Sequence, residues 1–263
     1  AHLSQVGGFY EPLNYVIFKI FSFPAAYHMR IMFNYWLAAF FMYLFARALK
    51  LGHLASILAA FSFITAQHLI PGMNILRSNS FFLMPGLFYV LQKLHSNQDE
   101  GLRNNLPYLF LGVFILGLSL LGGYTQLVLY GLVAVGAFMV YLLFRRFSWR
   151  FIFLTSFILG LGAFIFLPHL LKILEFIPVT ERAGGLSWEF ARKGGNIASF
   201  AGNFYTVLLP FLNLGTATSL HIGLLGFVFL FVVLFFRKKE PLTYFFTGLL
   251  IFAVLSSLSY PLF

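Results

Sequence analysis

The sequence contains no cysteine, so neither disulfide bonds nor thiolate metal sites are available to it. Charge is also scarce: 9% of the residues are Asp, Glu, Lys or Arg, against about 25% in globular proteins. With 60% apolar residues, 37 Phe and a mean hydropathy of +0.90, this shortage excludes a soluble domain. We therefore predict an all-α fold, a polytopic transmembrane helical bundle that forms a single membrane-embedded domain over residues 1–263.

Uncharged apolar runs mark the predicted membrane spans, because a helix needs roughly 20 apolar residues to cross a bilayer. The stretch 104–144 has no charged residue and suffices for two spans. We place the break between them at Gly122-Gly123-Tyr124-Thr125-Gln126, since paired glycines followed by polar residues interrupt helices. The eight predicted spans are about 26–46, 51–69, 79–92, 106–122, 127–144, 151–174, 219–236 and 242–259.

The basic residues are sorted onto alternate connections between these spans. Ten of the 17 Lys and Arg residues follow the first, third, fifth and seventh spans, and the positive-inside rule makes those loops cytoplasmic. The net charge of +10 is thereby explained without nucleic acid. The amphipathic segment 1–24, predicted to lie at the bilayer interface, and the long loop 175–218 then face outward. The ten basic residues are Arg47, Lys50, Lys93, Arg103, Arg145, Arg146, Arg150, Arg237, Lys238 and Lys239.

A mixed-charge segment, residues 168–202, follows the sixth predicted span. Ionisable groups at the end of a span are costly unless they face water, each other or a substrate. Lys172, Arg182 and Arg192 are candidates to hold the phosphate of a lipid-linked substrate, and His169 lies beside them. The alternative is simple salt bridging, for instance between Lys172 and Glu175 on one helix face.

Three further polar residues are candidate substrate ligands near the predicted outer ends of spans. Arg30 lies in the first span, where snorkelling to the headgroups is an equally good explanation. His68 precedes the 69–78 loop, although a lone His is more often a structural group. Gln126 could bond a sugar hydroxyl or merely cap a helix end.

Acidic residues are too few to offer many catalytic bases. Of the seven, Asp99, Glu100 and Glu240 lie in predicted cytoplasmic loops. An outer site within this chain is left with a histidine or the remaining four acids. The sequence contains no HExxH, Asp-x-Asp, Walker or GxSxG motif. The four outer acids are Glu11, Glu175, Glu181 and Glu189.

Several stretches together resemble the bacterial YfhO-like membrane proteins. LLGGYTQLVLY (120–130) resembles their "L-x-G-H-x-Q-x-x-x-Y" turn, and LPHLLKILEFIPVTERAGGLS (167–187) resembles a span end followed by a Ser-x-Arg segment. This chain departs from the pattern in having Tyr124 in place of His and Thr180-Glu181-Arg182 in place of Ser-x-Arg. The other similar stretches are SQVGGFYEPLN (4–14), FARALKLGHLASILAAFSF (45–63) and LHIGLLGFVFLF (220–231).

That family is similar to the GT-C glycosyltransferases, and the resemblance implies a GT-C-like fold in the bacterial plasma membrane. The implied activity is inverting transfer of a sugar from a polyprenyl-phosphate donor to an envelope polymer such as teichoic acid, with the need for a divalent cation left open. The catalytic acid of this class lies early in the first outer loop. We expect the chain to be an internal piece of a longer protein, with that acid upstream of Ala1 and Glu11 as the candidate remaining in the loop.

Two other functions stay open on the sequence alone. A lipid-linked-sugar flippase or another transporter would be expected to show repeats and broken helices near the membrane midplane. A non-catalytic scaffold would keep the fold without the acid. The clustering of ionisable groups at one face favours surface chemistry, and therefore the transferase, over a path through the membrane.

Overall fold

The computed structural model describes residues 12–68, 80, 82–122, 125–176 and 240–257, and all regular structure within them is helical. The side chains at 65–68, 125–126, 169, 172–173, 176 and 250–257 are outside the description. The helices are α1 Pro12–Ile20, α2 Phe23–Ala48, α3 His53–His68, α4 Leu83–Ser96, α5 Leu102–Gly122, α6 Thr125–Arg145, α7 Trp149–Phe176 and α8 Pro241–Ser257.

Four of these helices are long and apolar enough to cross a membrane. They are α2, α5, the Leu127–Arg145 part of α6 and the Trp149–Pro168 part of α7, of 19 to 26 residues each. At 1.5 Å per residue, about 20 residues cover the roughly 30 Å of a hydrocarbon core. The chain is therefore a helical, membrane-embedded protein.

The predicted spans and the helices agree closely in position where both can be compared. The predicted interruption between the fourth and fifth spans is confirmed, because α5 ends at Gly122 and α6 begins at Thr125. Helices α3, α4 and α8 lie at the second, third and eighth predicted spans but have only 16, 14 and 17 residues. The seventh predicted span, 219–236, lies outside the described residues. The count of eight spans thus stays a prediction.

The chain divides into two compact units, which are described separately. The first comprises Ala1–Ile64 and Met73–Pro178, and the second comprises Thr65–Gly72 and Val179–Phe263. Of the second unit, the described residues are the last turn of α3 and the stretch 240–257, which contains α8. All packing described below belongs to the first unit.

The short helix α4 is the centre of the first unit, where it packs against α2, α5, α6 and α7. Its face toward α2 and α6 carries Phe88, whose ring centroid lies 5.3 Å from that of Phe45 and 4.7 Å from that of Phe138. The rings of Phe45 and Phe138 are 5.6 Å apart and meet edge to face. Such pairs contribute about 0.5–1.5 kcal/mol each beyond the area they bury. The three phenylalanines thus join α2, α4 and α6.

Glycines allow α5 and α7 to approach closely. A Cβ atom on Gly112 of α5 would lie 2.7 Å from Ile158 Cδ1, and one on Gly162 of α7 would lie 2.4 Å from Leu116 Cδ2. Both distances are shorter than van der Waals contact. Since lipid provides no hydrophobic drive between helices in a bilayer, close approach through small residues is a main source of their association.

Candidate functional site

Arg30 lies on the face of α2 that is turned toward the other helices. This face repeats every four residues, and Ala26, Arg30, Asn34 and Ala38 are each 0% exposed. A 3.6-residue period places such positions in one stripe along the helix. The opposite side of α2 is apolar and exposed, as expected of a lipid-facing surface, and includes Trp36 stacked on Phe40 at 5.4 Å.

Two asparagine side chains hold the Arg30 guanidinium. Its Nε donates to Asn14 Oδ1 at 2.8 Å, and its Nη1 donates to Asn34 Oδ1. Asn34 is in reach because it follows Arg30 by four residues on the same helix. The Cζ atom of Arg30 also lies 6.0 Å from the ring centroid of Phe33. We call Arg30, Asn14 and Asn34 the buried arginine site.

Asn14 reaches this site because α1 turns back along α2. Only Phe21 and Ser22 separate the two helices, which pack against each other. Asn14 precedes the link by about two turns of α1, and Arg30 follows it by about two turns of α2, so the two side chains meet only if the helices are antiparallel. The start of the chain's first long helix is thus covered by its own preceding segment.

Two amide oxygens accept hydrogen bonds from Arg30. Guanidinium remains protonated in proteins and donates five N–H bonds in a planar fork. Because the donor is charged, its bonds to Asn14 and Asn34 are charge-assisted. The oxygens of a phosphate or carboxylate also fit such a fork, so anion recognition is a chemistry that a guanidinium at this position can perform.

The Arg30 side chain is completely buried in the structure. Charged residues within membrane helices are costly and in most cases face a bundle interior or a cavity where they have a function. Part of the cover over Arg30 comes from Asn14 in the segment that is predicted to lie at the bilayer interface. Substrate binding and snorkelling to the headgroups therefore both stay open as interpretations of this residue.

The other candidate residues are placed only by their backbone or not at all. His68 ends α3, Gln126 is the second residue of α6, and His169 and Lys172 lie in the last turns of α7, but none of their side chains is described. Glu11, Arg182 and Arg192 lie outside the described residues. A shared cleft of these residues with Arg30 therefore stays a prediction.

A second polar cluster joins the α4–α5 connection to the α6–α7 connection. Arg146 forms a bidentate pair with Asp99, with Nη1 to Oδ2 at 2.9 Å and Nη2 to Oδ1 at 2.8 Å. Arg150 Nη1 donates to the Gln98 carbonyl at 3.0 Å. We call these residues, with the neighbouring His95, the loop clasp. Two connections that are predicted to lie on the same side of the membrane thus meet at one end of the bundle.

His95 is held in its neutral form within the loop clasp. Its ring meets the Phe151 ring edge to face at 5.5 Å, and burial is the main reason that its pKa is lowered. The charges of Arg146 and Arg145 lower the pKa further, whereas hydrogen bonds to the backbone of Arg146 and Leu142 oppose the shift. Within the described part of the chain, Nε2 has no hydrogen-bond partner. Protonation would place a third positive charge beside two arginines.

Sequence reasoning identified Arg30 but missed the groups that hold it. The spacing of Arg30 and Asn34 is a signal that could have found Asn34, because residues four apart share a helix face. Asn14 could not be found this way, since its contact depends on the turn at Phe21 and Ser22. The described residues contain no group of three or more His, Asp or Glu side chains that could hold a metal ion.

No protein-family model matches the chain, and neither a curated protein nor a solved structure matches it. The residues themselves and the resemblance noted in their motifs are therefore the basis on which a function can be proposed.

Proposed function

We propose that the protein is an integral-membrane glycosyltransferase of the GT-C type, of the YfhO-like kind, in the bacterial plasma membrane. It would transfer a sugar from a polyprenyl-phosphate donor to a cell-envelope acceptor on the outer face. In this proposal the bundle has about eight spans, the loop clasp faces the cytoplasm, and the start of α2 faces outward.

The observation that supports the proposal is the complete burial of Arg30 inside a helical, membrane-embedded bundle, where Asn14 and Asn34 hold its guanidinium. A buried charge within a membrane helix is costly, and in most cases it marks a functional position. A lipid-linked phosphate can approach from the bilayer while its polyprenyl chain remains in hydrocarbon. Such a substrate offers oxygens that match the fork of the guanidinium.

The reaction would proceed by direct displacement at the anomeric carbon. A carboxylate, for which Glu11 is the candidate within this chain, would accept the proton of the acceptor hydroxyl. The hydroxyl oxygen would attack the anomeric carbon as the bond to the polyprenyl-phosphate oxygen breaks, which inverts the configuration. Arg30, with Arg182, Lys172 or Arg192, would stabilise the leaving phosphate, and electrostatic groups of this kind are worth about 10²–10³ in rate.

The residues predicted to line the sugar pocket are Gln126, His68 and His169. Amide and imidazole groups can both donate to and accept from sugar hydroxyls. Those lysines and arginines of the 168–202 segment that do not bind phosphate would then pair with the acidic residues of the same segment. A requirement for a divalent cation stays open.

Reconstituted protein tests the proposal directly. Vesicles containing the full-length protein, a radiolabelled polyprenyl-phosphate sugar and an acceptor glycan should show sugar transfer together with release of polyprenyl phosphate. Arg30→Met removes the charge with little change in size and should reduce transfer about 100-fold. Arg103→Met removes an exposed arginine at the start of α5 and should leave the rate unchanged.

The same experiment separates the transferase from the two alternatives. A flippase would move the donor lipid between leaflets without transfer, and Arg30→Met would slow that movement. A scaffold would show neither activity. Transfer at the wild-type rate by a folded Arg30→Met protein would contradict the role of the buried arginine site.

A further inference from the structure

Residues 144–150, which comprise the connection between α6 and α7 and the helix ends beside it, present aromatic and basic side chains on the outside of the bundle. Phe144 is 87% exposed and Trp149 is 75% exposed, and Phe147 is also exposed. The rings of Phe147 and Trp149 meet edge to face at 5.1 Å. Arg145, between Phe144 and Arg146, is exposed as well. We call residues 144–150 the aromatic loop.

Contacts on its inner side hold the aromatic loop in shape. Arg146 is paired with Asp99, and Arg150 donates to the Gln98 carbonyl. Ser148 Oγ accepts from the Phe151 N–H at 3.3 Å, which caps the start of α7. The loop is therefore preorganised, because its inward groups bond to neighbouring backbone and side chains.

The arginines of the loop have different surroundings. The charge of Arg146 is neutralised by Asp99, and Arg150 is partly buried against the α4–α5 connection. Arg145 faces outward, and its Nη1 donates to the neutral hydroxyl of Tyr141 at 3.3 Å. The outward surface thus combines one positive charge with three aromatic rings.

The position of this surface relative to the apolar spans indicates its partner. Arg145 is the last residue of α6 and Trp149 the first of α7, so both lie within about one helical turn of an apolar span. Side chains at that depth lie among lipid headgroups, where Trp is enriched and where basic residues attract anionic lipids. We propose that the aromatic loop is a binding surface for an anionic phospholipid, with Arg145 on the headgroup phosphate and Phe147 and Trp149 beside the glycerol and upper acyl chain.

Fluorescence quenching can test this proposal without knowledge of the protein's activity. The chain has three Trp residues, so the double substitution Trp36→Phe and Trp188→Phe leaves Trp149 as the only tryptophan. The protein is placed in nanodiscs of zwitterionic lipid with a minority of phosphatidylglycerol. The bromine atoms that quench Trp are carried either by the phosphatidylglycerol or by an equal amount of phosphatidylcholine.

Enrichment of the anionic lipid should make quenching by brominated phosphatidylglycerol about threefold to fivefold greater than by brominated phosphatidylcholine. Arg145→Gln should bring the ratio close to one, whereas Arg103→Gln, on an exposed arginine of α5, should leave it unchanged. Added salt should also lower the ratio. Thermal unfolding of each variant checks that the fold is intact.

Equal quenching by the two lipids would overturn the proposal and leave the loop as a neutral aromatic belt. The same conclusion would follow if Arg145→Gln kept the wild-type ratio, or if salt had no effect on it. These outcomes do not depend on whether the protein is a transferase.

Discussion

Two arginine side chains in the first unit have opposite surroundings. Arg30 is fully buried and bonds to two neutral amides, whereas Arg146 is 56% exposed and forms a bidentate pair with Asp99, which is 71% exposed. The exposed arginine bonds to a carboxylate at the surface, whereas the buried one bonds to amide side chains in the interior of the bundle.

This difference separates a structural role from a functional one. An exposed pair in water is worth about 0–1 kcal/mol and needs no further explanation than holding two loops together. A guanidinium in the interior costs several kcal/mol in desolvation before its bonds are counted. A costly charge is expected to be retained where it binds something, and this is the basis for the proposal that Arg30 binds the substrate phosphate.

The largest expected effect comes from giving Arg30 the kind of partner that Arg146 has. Asn34→Asp keeps the size and the bond to Nη1 but places a carboxylate against the guanidinium, where it would compete with the substrate phosphate. We expect the folded protein to be as stable as the wild type, while sugar transfer falls about 100-fold because the phosphate loses its attraction. Transfer assays with thermal unfolding measure both quantities.

The matched control for this substitution is Asn104→Asp, at an exposed position of α5 whose side chain bonds to Glu100. It adds the same charge away from Arg30 and should leave transfer unchanged. If Asn34→Asp transferred sugar at the wild-type rate, the charge of Arg30 would have no part in the reaction.

Removing the partner altogether should instead affect stability. Asn34→Leu leaves a buried N–H of a charged group without its acceptor, which costs about 2–3 kcal/mol. Asn14→Leu should cost less, because its bond to Arg30 is only partly buried. Unfolding midpoints in detergent measure both. Equal and negligible losses would mean that the interior around Arg30 is hydrated.

The loop clasp should show a smaller dependence on pH. The pKa of His95 is lowered in the fold, so below its unfolded value of about 6.5 the unfolded chain binds more protons and stability falls as pH decreases toward the folded pKa. Comparison of the wild type with His95→Gln between pH 7.5 and 5.5 isolates this residue from the other six histidines. If the wild type loses no more stability than His95→Gln over this pH range, the lowered pKa of His95 is refuted.

The smallest effect is expected from Asp99→Asn. It breaks the exposed ion pair with Arg146 but keeps one hydrogen-bond acceptor, so the free energy of unfolding should drop by about 0.5 kcal/mol or less. The loss should shrink in high salt, which screens the pair in the wild type. A loss of several kcal/mol would show that the bonds of Arg146 contribute much more to stability than its exposure indicates, so that its contrast with Arg30 would not hold.

Helix positions could be predicted from the sequence because they depend on local composition. Long uncharged runs produced α2, α5, α6 and α7, and the paired glycines at 122–123 marked the break between α5 and α6. The central role of α4 could not be predicted, because a 14-residue helix becomes a centre only through contacts with distant parts of the chain.

The candidate site was predictable only in part. Arg30 stands out as a charge within an apolar run, but its burial depends on which face of α2 the bundle covers. The meeting of Asp99 with Arg146 spans 47 residues and two connections. Alternation of basic loops indicates that the two connections share a side, yet it does not specify which side chains pair.

The most direct test of the account is the affinity of the purified protein for polyprenyl monophosphate, the leaving group of the proposed reaction. Loss of a charge-assisted contact should weaken binding about 10- to 100-fold in Arg30→Met and in Asn34→Asp, while Arg103→Met binds like the wild type. Wild-type affinity in a folded Arg30→Met protein would contradict the claim that the buried arginine is there to bind a lipid-linked phosphate.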